Sequence, residues 1–164
     1  MLFMKNISLN VLVILFLGLV PIGSFAADSD LDEYFDMSKG DPNASFTIIE
    51  YASFTCPHCA TFHKEVFPHL ENEYINTGKV RFVFREVYFD APGLWAGLLA
   101  RCSNKERYFG IVDLLFKKQD KWTSKTTEKD ILNELFSIGR QVGIEEAQIN
   151  SCMQNKTKSL NLID

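Results

Sequence analysis

SFTIIEYASFTCPHCATFH, residues 45–63, decides the fold. Ser45 to Tyr51 is a run of β-branched and aromatic residues interrupted by one acid, Glu50. Such a run reads as a buried strand. After Ala52-Ser53-Phe54-Thr55 the spacing predicts a helix beginning near Cys56, with Phe62, Val66 and Leu70 along its buried face. Pro68 falls inside that pattern and is expected to kink the helix, because it lacks an N–H and its ring crowds the preceding turn. Gly78 is the expected stop. Lys79 to Val87, KVRFVFREV, alternates Val80, Phe82 and Phe84 against Arg81, Val83 and Arg85, the pattern of a second strand with one wetter face. Strand, helix and strand in this order make a βαβ unit with parallel strands and a right-handed crossover.

Beyond this unit the pattern is helical only. Leu94 to Arg101 puts Trp95, Leu98, Leu99 and Cys102 on one stripe. Ser103-Asn104-Lys105-Glu106 matches a capping box, and the helix it would open turns Tyr108, Ile111, Val112 and Leu115 inward. KKQDKWTSKT, residues 117–126, reads as a polar connection. Thr127 to Val142 predicts a helix with Ile131, Leu135, Ile138 and Val142 along one face and Gly143 as its stop. A last helix runs from Glu145 to about Lys156, with Ile149, Cys152 and Met153 on one side.

The 164 residues suit one domain with an insertion, and 46% hydrophobic content is enough for a sizeable core. A net charge of −4 gives no basic footprint, which argues against a nucleic-acid partner. At the N-terminus Lys5 is the only charge before Asp28; VLVILFLGLV (11–20) is uninterrupted apolar sequence, and Pro21, Gly23 and Ser24-Phe25-Ala26 follow. This is the pattern of a secretory signal peptide over residues 1–26, short for a membrane span. Residues 27–44 read as an N-terminal arm, 45–90 as the βαβ part, 91–156 as the helical insertion, and 157–164 as the start of an incomplete return segment. Export places the four cysteines in an oxidising compartment.

Two of them carry the chemistry. Cys56 falls at or near the helix N-cap, where free N–H groups and the positive end of the helix dipole favour thiolate over thiol. Pro57 suits the first helical turn, and His58 can donate a hydrogen bond or place positive charge near the Cys56 sulfur. A stabilised thiolate makes the disulfide easier to reduce, so the pair becomes an oxidant of other thiols. Cys56 is expected to be exposed and to form a mixed disulfide, with Cys59, more buried, as the resolving thiol. Glu50, six residues before Cys56, either relays the proton that Cys59 gains or loses, or is a strand-end acid facing solvent. The competing reading is a zinc site of Cys56, Cys59 and His63, but all three lie on one helix and no second CxxC accompanies them. His63 and His69 read instead as surface or kink residues. Cys102 and Cys152 each lie on an apolar helix face; paired, they would close a loop worth roughly 4 kcal/mol on the chain-entropy model. The alternatives are two buried free thiols or a regulatory disulfide.

The stretch TIIEYASFTCPHC, the exported N-terminus, the kinked helix, the KVRFVFREV strand and the all-helical insertion together resemble the DsbA-like thiol:disulfide oxidoreductases of the thioredoxin superfamily. The resemblance covers about residues 41–155. It implies an α/β thioredoxin-like fold split by a helical insertion, with Cys56 as nucleophile, Cys59 as resolving partner and Pro57-His58 as the tuning dipeptide. It also implies periplasmic localisation, reduced secreted proteins as substrates, a quinone-linked DsbB-type membrane oxidase as partner, and no cofactor. The same pair run in reverse would make a reductase or isomerase; a third reading is a non-enzymatic zinc-binding or structural exported module. Family members continue past the helical insertion into two strands and a helix, with a cis-proline facing the cysteines. This sequence stops first, so those C-terminal elements are expected to be missing and Ser45 to Tyr51 to present an open apolar edge.

Overall fold

The computed structural model describes residues 36–163. The signal peptide expected over residues 1–26 lies outside the described residues, as does the first half of the expected arm. Among the described residues three strands form one sheet in the order β1-β3-β2. They are β1 (Met37–Lys39), β2 (Phe46–Ala52) and β3 (Val80–Glu86). β2 and β3 are parallel, with Ile48 level with Phe82 and Glu50 level with Phe84, so the βαβ unit forms as its sequence predicts. β1 runs antiparallel on the other side of β3, with Met37 opposite Phe84. From sequence, residues 37–39 read as part of an N-terminal arm.

β3 is central, and Val80, Phe82, Val83 and Phe84 are buried. β2 departs from expectation: Phe46 is 71% exposed, Ile49 44% and Tyr51 62%. The composition of a buried strand is present, but among the described residues β2 has a neighbour on one side only, and these leave its outer backbone edge and much of its apolar surface uncovered. The open edge anticipated for this strand is therefore seen. Phe46, Ile48, Leu70 and Tyr74 line an apolar groove of about 620 Å³ beside it.

Helix α1 spans residues 57–75 and alternates α and π turns: Pro57–Thr61, a π turn Phe62–Val66, Phe67–Leu70, and a π turn Glu71–Ile75. The first π turn closes when the Phe67 N–H reaches the Phe62 carbonyl, five residues back, just before Pro68, which has no N–H to give. Wider winding at this point changes which side chains face the core. Ala60, His63, Phe67 and Ile75 are buried, whereas Val66 is half exposed. His63, which the sequence reads as a surface or kink residue, is 3% exposed and sits between aromatic rings. Gly78, with φ +74°, ends the element in the left-handed region where glycine carries no Cβ penalty.

The insertion contains α2 (Ala91–Ala100), α3 (Lys105–Lys117), α4 (Gln119–Thr123), α5 (Glu128–Gln141), α6 (Glu146–Met153) and α7 (Lys156–Ile163). Asp90 caps α2, accepting a hydrogen bond from the Gly93 N–H at 2.7 Å, and Thr127 caps α5. The capping box predicted at Ser103–Glu106 does not form: Asn104 is the N-cap of α3 and makes no side-chain cap bond. The polar connection 117–126 holds the short helix α4, with Trp122 fully buried. Residues expected to begin a return segment are helical in α7.

The stripes of α3 and α5 are buried through Tyr108, Ile111, Val112 and Leu115 and through Ile131, Leu135 and Ile138, while Val142, predicted on the α5 stripe, is only partly buried. α5 approaches its neighbours closely at Gly139, where a Cβ would meet Ile149 Cδ1 at 2.6 Å and Leu99 Cδ1 at 3.0 Å. Sheet and insertion share one core, in which Phe54, Phe82, Phe84 and Phe116 are each nearly or fully buried. Each such ring contributes about 1.5–3 kcal/mol by leaving water.

A charged knot fastens the insertion to the end of β3. Arg101 meets Glu86 in a two-pronged ion pair, Nε to Oε1 at 2.7 Å and a terminal nitrogen to Oε2 at 2.6 Å. The Tyr108 hydroxyl donates to the same Oε1 at 2.6 Å. Among the described residues no helix is long and apolar enough to cross a membrane.

Candidate active site

Cys56 is the N-cap of α1, in extended conformation with φ −80° and ψ 116°, and Pro57 is the first helical residue. The chain arrives through a turn in which the Cys56 N–H donates to the Ser53 carbonyl at 3.1 Å. The Ser53 hydroxyl accepts from the Thr55 N–H at 3.3 Å. The Thr55 hydroxyl donates to Asp90 Oδ2 at 2.8 Å, linking this turn to the cap of α2. Cys56 Sγ accepts the Cys59 N–H at 3.4 Å, the side-chain cap of an otherwise open helix end.

The two sulfurs are unequal electrostatically. Burial works against the Cys56 thiolate, but hydrogen bonds from the Cys59 thiol and from the backbone N–H groups of Cys59 and His58 outweigh it and hold its pKa below the ordinary value. Burial pushes the Cys59 thiol up to about 11, and its hydrogen bond to Cys56 adds to the effect. The negative charge of Glu50 disfavours ionisation at both. In exposure the contrast is weaker than expected: both cysteines are partly buried and both are free thiols. Cys59 packs against the core. His58 is exposed, and its help to Cys56 comes through its backbone N–H.

Glu50 faces inward from β2, and its Oε2 lies 2.9 Å from His63 Nε2. The imidazole stacks on Phe116 with centroids 4.2 Å apart and on Phe67 at 5.0 Å. The Glu50 side chain is 13% exposed, so it does not face solvent as a strand-end acid. His63 is thus engaged with Glu50. Among the described residues no three His, Cys, Asp or Glu side chains are gathered as a metal ion would need. Cys102, at the end of α2, and Cys152, in α6, are joined as a disulfide with Cα atoms 5.8 Å apart, far in sequence from the CxxC pair.

The roles of three groups around the cysteines are not given by the sequence: His63, weighed there only as a zinc ligand or a surface or kink residue, Asp90, and Gln119, whose amide donates to the Phe54 and Cys56 carbonyls. FTCPHCATFH carried a signal for the first, since the His lies four residues beyond Cys59 on the same helix.

The family profile described as thioredoxin matches residues 29–163. A Rickettsia bellii protein named as a protein-disulfide oxidoreductase is 32% identical over 143 residues, 87% of this chain and 54% of that protein. Disulfide bond formation protein D of Bacillus subtilis is 24% identical over 115 residues, 68% of this chain and 52% of that protein. The chain therefore spans about half the length of the curated relatives it matches. Among solved structures, Wolbachia pipientis α-DsbA1 superposes with a TM-score of 0.70 at 34% identity, covering 77% of this chain and 63% of that one. BdbD of Bacillus subtilis matches in fold, with a TM-score of 0.67 at 20% identity over 77% of this chain and 70% of that one. The chain belongs to the thioredoxin family and is DsbA-like in sequence and fold.

Proposed function

We propose that this protein is an exported thiol:disulfide oxidoreductase that donates the Cys56–Cys59 disulfide to reduced secreted proteins. The observation that carries the reading is the placement of Cys56 Sγ at the head of α1, accepting the Cys59 N–H, beside a Cys59 thiol held near 11. In the oxidised protein a substrate thiolate attacks Cys56 Sγ, the Cys56–Cys59 bond breaks, and Cys59 leaves as a thiolate. Its high pKa makes it take up a proton at once, for which Glu50 is the candidate relay. A second substrate thiolate then attacks the substrate sulfur of the mixed disulfide, and Cys56 leaves as a thiolate. Two electrons have moved from the substrate dithiol to the protein. Because Cys56 is stabilised as an anion it is a good leaving group, which favours donation over reduction. Pro57 and His58 tune this step by opening the helix and supplying a backbone donor.

Reoxidation is assigned to a quinone-linked membrane oxidase of the DsbB type, and the periplasm is the proposed location. Support for export comes from the apolar run at residues 11–20 with its small-residue end, and from the Cys102–Cys152 disulfide. The experiment is trapping: Cys59→Ser, loaded beforehand as a Cys56–glutathione mixed disulfide, should exchange glutathione for reduced protein substrates and accumulate mixed disulfides with them. Turnover of substrate by Cys59→Ser at the wild-type rate overturns the assigned roles. Equilibration with glutathione separates oxidant from reductase, the oxidant being largely reduced where a reductase stays oxidised.

A further inference from the structure

Gln119 lies 63 residues after Cys56, in the helical insertion, yet its side chain reaches the chain that enters the active-site helix. The residue is 2% exposed. Its Nε2 donates to the Phe54 carbonyl at 2.8 Å and to the Cys56 carbonyl at 2.9 Å. These carbonyls bracket Thr55, so one amide group grips the backbone on both sides of the step into the N-cap. A buried amide with unmet donors is costly, which makes both bonds obligatory.

The grip comes from a fixed base. α4 is held by fully buried Trp122, whose indole N–H donates to the Leu115 carbonyl at 3.0 Å. The Thr123 hydroxyl donates to the Gln119 carbonyl at 2.9 Å. The Thr55 hydroxyl on Asp90, at 2.8 Å, also ties the turn to the insertion, whereas the bonds of the Thr55 and Cys56 N–H groups to Ser53 are internal to the turn. Cys56 Sγ meets the Cys59 N–H at 3.4 Å, a contact that a small movement of the entering chain would lose. The helix-end effect on charge falls away within the first turn, so position matters at this scale.

We propose that Gln119 is a positioning residue of the exchange site: through its two hydrogen bonds the helical insertion holds Cys56 Sγ over the head of α1 and so sets its reactivity as a thiolate. The proposal rests on the reading of Cys56 as the nucleophile. It gives the insertion a part in the chemistry as well as in the packing.

The test uses the reduced full chain carrying Gln119→Met, which keeps the volume and removes both donors. Gln148→Met is the control, because Gln148 donates a comparable bond to the Cys102 carbonyl at 2.6 Å, away from the CxxC pair. Cys56 ionisation is followed by thiolate absorbance and by alkylation rate at acidic pH. Gln119→Met should raise the titration midpoint and slow acid-side alkylation by about threefold or more, as a half-unit rise in midpoint would, while Gln148→Met leaves both unchanged. A folded Gln119→Met that titrates like wild type, or an equal shift in Gln148→Met, overturns the proposal. Should Gln119→Met not fold, the side-chain amide protons of Gln119 in the wild type serve instead. They should exchange slowly and move in step with Cys56 ionisation; rapid exchange or unmoved resonances overturn it. A wild-type Cys56 that ionises like free cysteine sinks the exchange mechanism itself, whereas a low wild-type midpoint unmoved by Gln119→Met sinks only the role of Gln119.

Discussion

His63 Nε2 lies 2.9 Å from Glu50 Oε2 in the interior of the protein, with the imidazole side chain 2% exposed and the carboxylate 13%. The two side chains share this hydrogen bond, whose direction follows the imidazole tautomer. Phe67 and Phe116 flank the ring, so the pair has almost no water to fall back on. His63→Phe should therefore fit sterically and still destabilise the protein by about 1–3 kcal/mol, because Glu50 would lose its partner. Adding Glu50→Leu should recover much of that loss. Urea midpoints of the two singles and the double give the coupling; a neutral His63→Phe would contradict it.

Glu50 also acts on the cysteines. Its charge opposes the thiolate at both Cys56 and Cys59. Glu50→Gln removes the charge at nearly constant volume and should lower the pH at which Cys56 ionises. If Glu50 relays the Cys59 proton, the same variant should also slow mixed-disulfide formation by the oxidised protein. Stopped-flow exchange with a small thiol measures that rate, and a rate equal to wild type would remove Glu50 from the mechanism.

The reduced protein should lose stability at alkaline pH. Burial, then the hydrogen bond to Cys56, raises the Cys59 pKa from an ordinary value near 9.0 to about 11. A raised folded-state pKa contributes stability that is fully present below the unfolded value and disappears as pH rises through the folded one. The window is thus roughly pH 9 to 11. Cys59→Ala should flatten the decline in that window; an unchanged slope would argue against a protected Cys59 thiol.

Glu86 should be a costly residue to truncate. It holds Arg101 through two bonds and Tyr108 through one, with the Glu86 and Arg101 side chains 3% and 6% exposed. Glu86→Ala takes both carboxylate bonds from a buried guanidinium, a loss of about 3–5 kcal/mol. Thermal or denaturant unfolding would reveal it, and a loss under about 1 kcal/mol would mean that water replaces the carboxylate.

The second cysteine pair should matter for stability more than for chemistry. Cys102→Ala with Cys152→Ala opens a cross-link between residues 50 apart and should lower stability by about 2–4 kcal/mol. Exchange by Cys56 should persist at close to the wild-type rate. A large loss of exchange in a folded double variant would show the two cysteine pairs to be coupled.

The βαβ unit was legible because β-branched runs flank a helix whose start is marked by Cys56-Pro57 and whose end is marked by Gly78. The same local signals placed Cys56 at the N-cap. β1 was invisible, since three residues carry no period and their pairing with β3 is purely tertiary. The inward turn of His63 was missed for two reasons: histidine was not counted as apolar, and the π turn before Pro68 changes the buried face. Trp122 sits among lysines and reads as a loop residue, while its burial depends on helices packed around it. Gln119 acts on residues 63 and 65 positions earlier, a distance over which no pattern in the chain speaks.

The central claim is that the Cys56 sulfur is held as an anion by the head of α1. Thiolate absorbance of the reduced protein, titrated against a Cys56→Ser background, measures it directly. The account predicts a midpoint clearly below the ordinary cysteine value near 9.0. A midpoint at or above that value would contradict it.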